Sequence, residues 1–394
     1  MIYIVTLLLL IFLTLRIDIV KKKNNYILWY NIVFIILVCI AGFRYRLGQD
    51  TTAYLDMFFH KTPKIYELTT DDFMELGVEP LFLLLNSILL TIGTKFYVLQ
   101  IIQAFFVNGL ILLYFRKHSD YMFLCTVLYF IWVYVGFNME EMRSSISLAI
   151  CLFANDYIIE KKWLKGYMLY LIASMFHYMS LLMLITPLFL FMRLNRNGIL
   201  ILILTFIVGR SAQILLMDYL ILLELVGGVG DKISYYTVND TYLVQEGNVN
   251  YFIVYIIPII VYPILSIIYK KKFDRNSDLV QFEPFMMFGM ICVIMECFIP
   301  LFYRLEHFFT VYFILYLSDM FIGILRSGKR LSKPLAITRL IVFFFPFFLY
   351  VGMNYTQSYI RYYPYSSVFE MSTNEKRERA FSEKNRPYPN SKEY

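Results

Sequence analysis

MIYIVTLLLLIFLTLRIDIVKKK, Met1 to Lys23, decides what kind of chain this is. An almost uninterrupted apolar run is followed, not preceded, by three lysines, and no small-residue cleavage pattern closes it. The stretch therefore predicts a retained first transmembrane helix with its N-terminus outside, rather than a secretory leader.

The rest of the chain repeats this pattern. Of 394 residues, 59% are hydrophobic, 19% aromatic and only 16% charged, with a mean hydropathy of +0.62. Those values exclude a soluble enzyme and predict an all-α, polytopic membrane bundle of about 11 to 13 helices. Apolar runs near residues 2–17, 26–43, 96–115, 120–137, 142–159, 198–216, 251–269, 282–302, 306–325 and 335–352 are the candidate spans. The longer run from Gly166 to Met192 reads as two short helices with a turn near Phe176 and His177.

Charge sets the expected orientation. The connections KKK (21–23), RKH (116–118), EKKWLK (160–165), RLNRN (193–197), KKKFDR (270–275) and RSGKRLSK (326–333) all lie on one side if that side is the cytoplasm. The count closes when the run from Pro80 to Gly93 is re-entrant or interfacial. Two ordinary crossings there, with a weaker charge bias, are the alternative. The net charge of +7 is thus membrane anchoring, and nucleic acid is not an expected partner. Cys39, Cys125, Cys151, Cys292 and Cys297 have no metal or disulfide spacing and read as packing residues.

On this topology residues 1–369 form one transmembrane domain with two long outer loops, 44–79 and 218–250, and residues 370–394 are a disordered polar tail. Polar residues gather at the outer boundary: Arg44, Arg46, Asp50, Glu79, Glu140, Glu141, Arg143, His177, Arg304, Glu306, His307 and Arg361. Outer loops normally hold few basic residues, and arginine in place of lysine suggests bidentate phosphate recognition.

Each residue also has a plainer reading. Arg46 and Asp50 suit a structural ion pair, Gly48 a tight turn, and Tyr54 the interfacial belt. One of Glu140 and Glu141 suits a helix N-terminus. Arg143, at the head of a helix, needs an anionic partner, either Glu140 or a substrate phosphate. His177 is either a helix-turn hydrogen bonder or a general base. The tyrosines of SYYTVNDTY (234–242) and SYIRYYPYSSVF (358–369) are either an aromatic belt or a carbohydrate platform. Arg210 can snorkel, pair across the bundle or line a cavity. Motifs for metal-dependent sugar transfer or serine hydrolysis are absent, so neither metal nor cofactor is expected.

Taken in order, FRYRLGQDTTAY, Glu79-Pro80, MEEMRSSISLAI, EKK, MFHYMSLL, YRLEHFF and YYPYSSVF resemble the EpsG family of Wzy-like bacterial polysaccharide polymerases. Two departures are Gln49-Asp50-Thr51, where members often carry a small residue, Asp and Tyr, and Glu140-Glu141, where an amide is usual.

The resemblance implies a GT-C-like architecture in the bacterial cytoplasmic membrane with an outward-facing active site. A growing glycan on polyprenyl diphosphate passes to the next lipid-linked repeat unit. Membrane lipid and a chain-length regulator are the further partners. Arg44, Arg46, Arg143 and Arg304 would then hold the diphosphate, His177 or Asp50 would be the base, and Tyr362, Tyr363 and Tyr365 would lie near the glycan. Gly48, Tyr54, Glu79, Glu140, Glu141 and Arg361 complete the expected binding set. A lipid-linked oligosaccharide flippase and a membrane O-acetyltransferase are the rival readings. The first predicts paired halves, the second catalytic groups on the cytoplasmic side.

Overall fold

The computed structural model describes residues 1–48, 50–224, 277–296, 298, 302–327 and 362–370. Two compact units divide the chain: residues 1–184 with 354–394, and residues 185–353. Most of the outer loop 218–250, the runs 251–269 and 335–352, Cys297, Arg361 and nearly all of the tail lie outside the described residues.

The first unit begins with α1 (Ile2–Leu13), extended by a π-helical stretch to Ile19, and α2 (Tyr26–Gly42). The short helices α3 (Thr51–Asp56) and α4 (Asp72–Glu75) follow, and Met57–Lys61 continues α3 as a π-turn. Next come α5 (Pro80–Thr91), α6 (Phe96–His118), α7 (Met122–Trp132), α8 (Met142–Ile159) and α9 (Trp163–Ser174). A 3-10 helix, Tyr178–Phe189, follows the break at Met175–His177, so the Gly166–Met192 run does split where its sequence suggested.

The second unit holds α10 (Arg196–Glu224), α11 (Glu283–Glu296), α12 (Tyr303–Glu306) and α13 (Thr310–Ser327). Its core is aromatic. Phe189 stacks on Phe288 at 4.4 Å and Phe285 on Tyr312 at 5.0 Å, and buried Glu283 accepts the Leu194 amide at 3.1 Å. Arg210 is exposed on α10.

Among the described residues, four segments are long and apolar enough to cross a bilayer: Ile2–Ile19, Phe96–His118, Leu279–Glu296 and Arg304–Leu325. The polarity of the first unit is inverted relative to a water-soluble protein. Gln100, Gln103, Asn108 and Asn138 are wholly buried, while Ile4, Val5, Leu8 and Leu164 face outward. Such a surface is stable only against lipid tails. The chain is an all-α, multi-pass membrane protein.

Two of the buried amides, Asn108 and Asn138, bond to each other and to Tyr129. Asn108 Nδ2 donates to Asn138 Oδ1 (2.7 Å), Asn138 Nδ2 to the Tyr129 hydroxyl (2.9 Å), and that hydroxyl to Asn108 Oδ1 (3.1 Å). Gln103 Nε2 reaches the Phe137 carbonyl (3.1 Å) and Ser145 Oγ (3.0 Å). In a low-dielectric interior these bonds hold the π-turn Gly136–Glu140 against α6, α7 and α8.

The basic connections of this unit converge at one end. Lys21 lies 4.6 Å from the Tyr121 ring, Arg116 lies 5.5 Å from Tyr30, and Lys117 pairs with Asp156 at 2.6 Å, just before EKKWLK. Arg143 sits at the other end of α8, 13 residues and about 20 Å away.

At that other end an apolar cap joins residues distant in sequence: Tyr45, Tyr54, Phe58, Phe82, Leu99, Met142 and Val368. The segment 362–370 returns to it and pairs with the Arg44 loop as an isolated antiparallel bridge, Arg44 opposite Ser367. The Tyr45 amide donates to Ser366 O (2.9 Å) and the Val368 amide to Phe43 O (2.9 Å).

Gly48 is required here. Its φ is +96°, and a Cβ would stand 2.3 Å from the Met139 carbonyl oxygen. Gly48→Ala is expected to cost about 1–3 kcal/mol of stability, read as a lower thermal midpoint of the purified protein in detergent. An unchanged midpoint would show that the loop can lift away from Met139.

Candidate functional site

Glu79 precedes Pro80, the first residue of α5, and has extended backbone angles. Proline suits that first helical position because it lacks a donor there. The Leu81 amide donates to Met175 O at 2.9 Å, which ties the start of α5 to the break after α9. α5 has 12 residues, about 18 Å of helix, too short for a hydrocarbon layer of about 30 Å. Its start therefore presents Glu79 to neighbours instead of carrying it across.

The Glu79 side chain does not cap its own helix. One oxygen, Oε1, accepts from His177 Nδ1 at 2.8 Å and from the Tyr178 amide at 3.3 Å. The other, Oε2, accepts from Arg143 Nη1 at 2.6 Å. Glu79 is thus a bridge between a histidine on the α9 break and an arginine in the first turn of α8. Burial works against its ionisation, yet the His177 hydrogen bond and the Arg143 charge outweigh that and hold the carboxyl down at about 2.

The backbone that carries the imidazole is held on both sides. The His177 amide donates to Ala173 O at 3.0 Å, and its carbonyl accepts from both the amide (3.1 Å) and the hydroxyl (3.0 Å) of Ser180. Among the described residues its Nε2 makes no hydrogen bond. The Arg143 guanidinium lies 5.8 Å from the Tyr54 ring centroid, and its side chain remains 28% exposed. Tyr54 is buried edge-on against Phe82 at 6.0 Å. Glu141 occupies the N-cap position of α8, and Glu140 ends the preceding π-turn.

Several expectations are corrected. The partner of Arg143 is Glu79, 64 residues earlier, and not its neighbour Glu140. Arg44 is wholly buried, with Nη1 donating to the Ala41 carbonyl at 2.6 Å. It shapes the loop and offers no accessible guanidinium for a diphosphate. Arg46, at φ +49°, is only 5% exposed and lies against the Tyr45 ring. Gly48 packs closely against the Met139 carbonyl. Thr51 reinforces that contact, its hydroxyl reaching Leu47 O and, at 3.5 Å, Met139 O.

Tyr362 is buried, and the Tyr365 hydroxyl donates to Ile40 O at 3.0 Å, so these two belong to packing. Tyr363, half exposed, is the member of the trio that faces outward. Asp50 is exposed at the start of α3. Arg304 belongs to the second unit, and Arg361 lies outside the described residues.

Sequence reasoning missed the Glu79–His177 pair and the return of residues 366–368 to the Arg44 loop. The usable signal for the first was an acid immediately before a proline-led apolar run, because a buried carboxylate must find donors.

The EpsG family model matches residues 27–367, which takes in every element of this site. The chain belongs to the EpsG family. No curated protein and no solved structure matches it. As an EpsG-family member it is a membrane protein of polysaccharide biosynthesis.

Proposed function

We propose that this EpsG-family chain is a polysaccharide polymerase that joins oligosaccharide repeat units carried on polyprenyl diphosphate, working at the outer face of the cell membrane. The carrying observation is the Glu79 bridge between His177 and Arg143. An ionised carboxylate only accepts hydrogen bonds, so the facing Nδ1 of His177 holds a proton, and in the neutral imidazole Nε2 is then the accepting nitrogen.

In this scheme Nε2 takes the proton of the acceptor hydroxyl while that oxygen bonds to the anomeric carbon of the donor. The carbon–oxygen bond to the diphosphate breaks, its electron pair departs with the diphosphate, and the anomeric configuration inverts. Arg143 has five N–H donors; one goes to Glu79 and the Nε–H is buried, so the three that remain can meet the charge growing on the leaving group. Tyr363 is the candidate stacking surface for the glycan. Asp50, exposed near Tyr54, is the alternative base. The scheme requires neither metal nor cofactor. A chain-length regulator would act on the same product.

Polymer length on a gel tests the reading, with His177→Ala at wild-type protein level. Loss of long chains, with single repeat units accumulating on the outer face, is the expected outcome. Units trapped on the inner face would indicate a flippase, and unchanged chain length would remove His177 from the mechanism.

A further inference from the structure

At the end of α8 remote from Glu79, a cavity of about 770 Å³ opens between α8 and α9. Its lining has two chemistries. Lys117, Lys162 and Lys165 supply charge, while Phe153, Leu164 and Met168 supply apolar surface. Two carboxylates, Asp156 and Glu160, also line it, so the lysines leave an excess of one positive charge.

The lysines are pre-positioned. Lys117 Nζ lies 2.6 Å from Asp156, whose other oxygen accepts the Tyr114 hydroxyl at 2.9 Å. His118 Nε2 lies 2.8 Å from the same carboxylate. Lys162 lies 2.6 Å from Glu160. Lys162 and Lys165 both stand over the Tyr157 ring, at 6.0 and 5.8 Å. Among the described residues Lys165 makes no ion pair. An ammonium has three donors, so Lys117 and Lys162 each keep two beyond the one facing a carboxylate. The arrangement offers donors to an anion without first breaking its own pairs.

The apolar half indicates which anion. Leu164 is 78% exposed, and Met168 and Leu171 continue an outward-facing strip along α9. A soluble phosphate has no use for such a strip, whereas the acyl chains of a phospholipid lie along it as its headgroup meets the lysines. Basic pockets between transmembrane helices suit lipid phosphates, and the charge pattern assigns this end to the cytoplasmic leaflet, where anionic lipid attracts lysine. The volume lies within the range of small-molecule sites.

We propose that the α8–α9 cavity binds the phosphate headgroup of an anionic glycerophospholipid, with Lys165, Lys162 and Lys117 as donors and Leu164 and Met168 against the chains. This site is independent of the polymerase reading, since it shares no residue with the Glu79 site.

The test is native mass spectrometry of the full-length protein exchanged into equimolar phosphatidylglycerol and phosphatidylcholine. Wild type is expected to retain phosphatidylglycerol preferentially, and Lys162→Gln/Lys165→Gln to lose that preference roughly 25-fold, about five-fold per lysine. Lys162→Arg/Lys165→Arg is expected to keep it, which separates loss of charge from loss of fold. Lys61→Gln, an exposed lysine beside Asp56, should leave it unchanged. Equal retention by wild type and the glutamine variant overturns the site, as does failure of the arginine variant to retain the lipid. Displacement by inorganic phosphate with no discrimination between the two lipids also overturns it, in favour of a soluble anion.

Discussion

Glu79→Gln is expected to reduce chain extension by about 10²- to 10⁴-fold while the protein still inserts and folds. The amide is nearly isosteric, so the cavity left by the carboxylate is refilled. What changes is polarity. Glu79 receives donors on both oxygens, from His177 and Arg143, whereas glutamine has one acceptor and one donor group. Either the imidazole turns over its tautomer, placing its proton on Nε2, or Arg143 loses its anchor.

The measurement is repeat-unit extension by purified protein as a function of pH, together with polymer length in cells. A positioning role predicts a changed pH profile and recovery in part by Glu79→Asp, which restores charge at a shorter reach. Wild-type extension by Glu79→Gln would show that the bridge is structural only. Because the Glu79 carboxyl is held at about 2, below its ordinary value near 4.5, its stabilising contribution is complete above that ordinary value. It is lost only as the pH falls toward 2, so the bridge should persist through mild acid, read as an unchanged thermal midpoint between pH 5 and 7 from this group.

Arg143→Met is expected to destabilise the protein by about 3–5 kcal/mol, because it leaves the nearly buried Glu79 carboxylate with one charged partner fewer. The same substitution in a Glu79→Gln background should cost far less, since no uncompensated charge remains. That non-additivity distinguishes an arginine tied into the fold from one that only awaits substrate. Thermal midpoints of the four proteins in one detergent give the coupling. Additive losses, or a single variant as stable as wild type, would show that the pair contributes nothing to folding. Arg143→Lys keeps the charge but not the planar fork, and should fall between the two.

The Arg143 partner shows where sequence reading ran out. A costly arginine at a helix head announces that it needs an anion, but Glu140 and Glu79 are equally acidic on paper. Only tertiary packing brings the second one close, with Arg143 Nη1 2.6 Å from Glu79 Oε2. Arg44 and Arg46 show the same limit. Their motif resembles a phosphate grip, but their burial was not legible, because burial depends on tertiary contacts: the backbone at Arg44 is bridged by Ser367, more than 300 residues later. Tyr365 likewise spends its hydroxyl on Ile40 O and not toward a sugar. The break at Phe176 and His177, by contrast, was legible, because an apolar run too long for one crossing and too short for two must bend near its polar residue.

The sequence by itself determined the solvent. Apolar runs of spanning length and lysine-rich connections are local properties, and a bilayer reads them one segment at a time. It also determined the helical class, since a backbone in hydrocarbon must bond to itself. Tertiary structure alone decided which charges meet. Glu79, Arg143 and His177 come from three elements, and a hydrogen bond needs positions within about 3 Å that no spacing along the chain encodes.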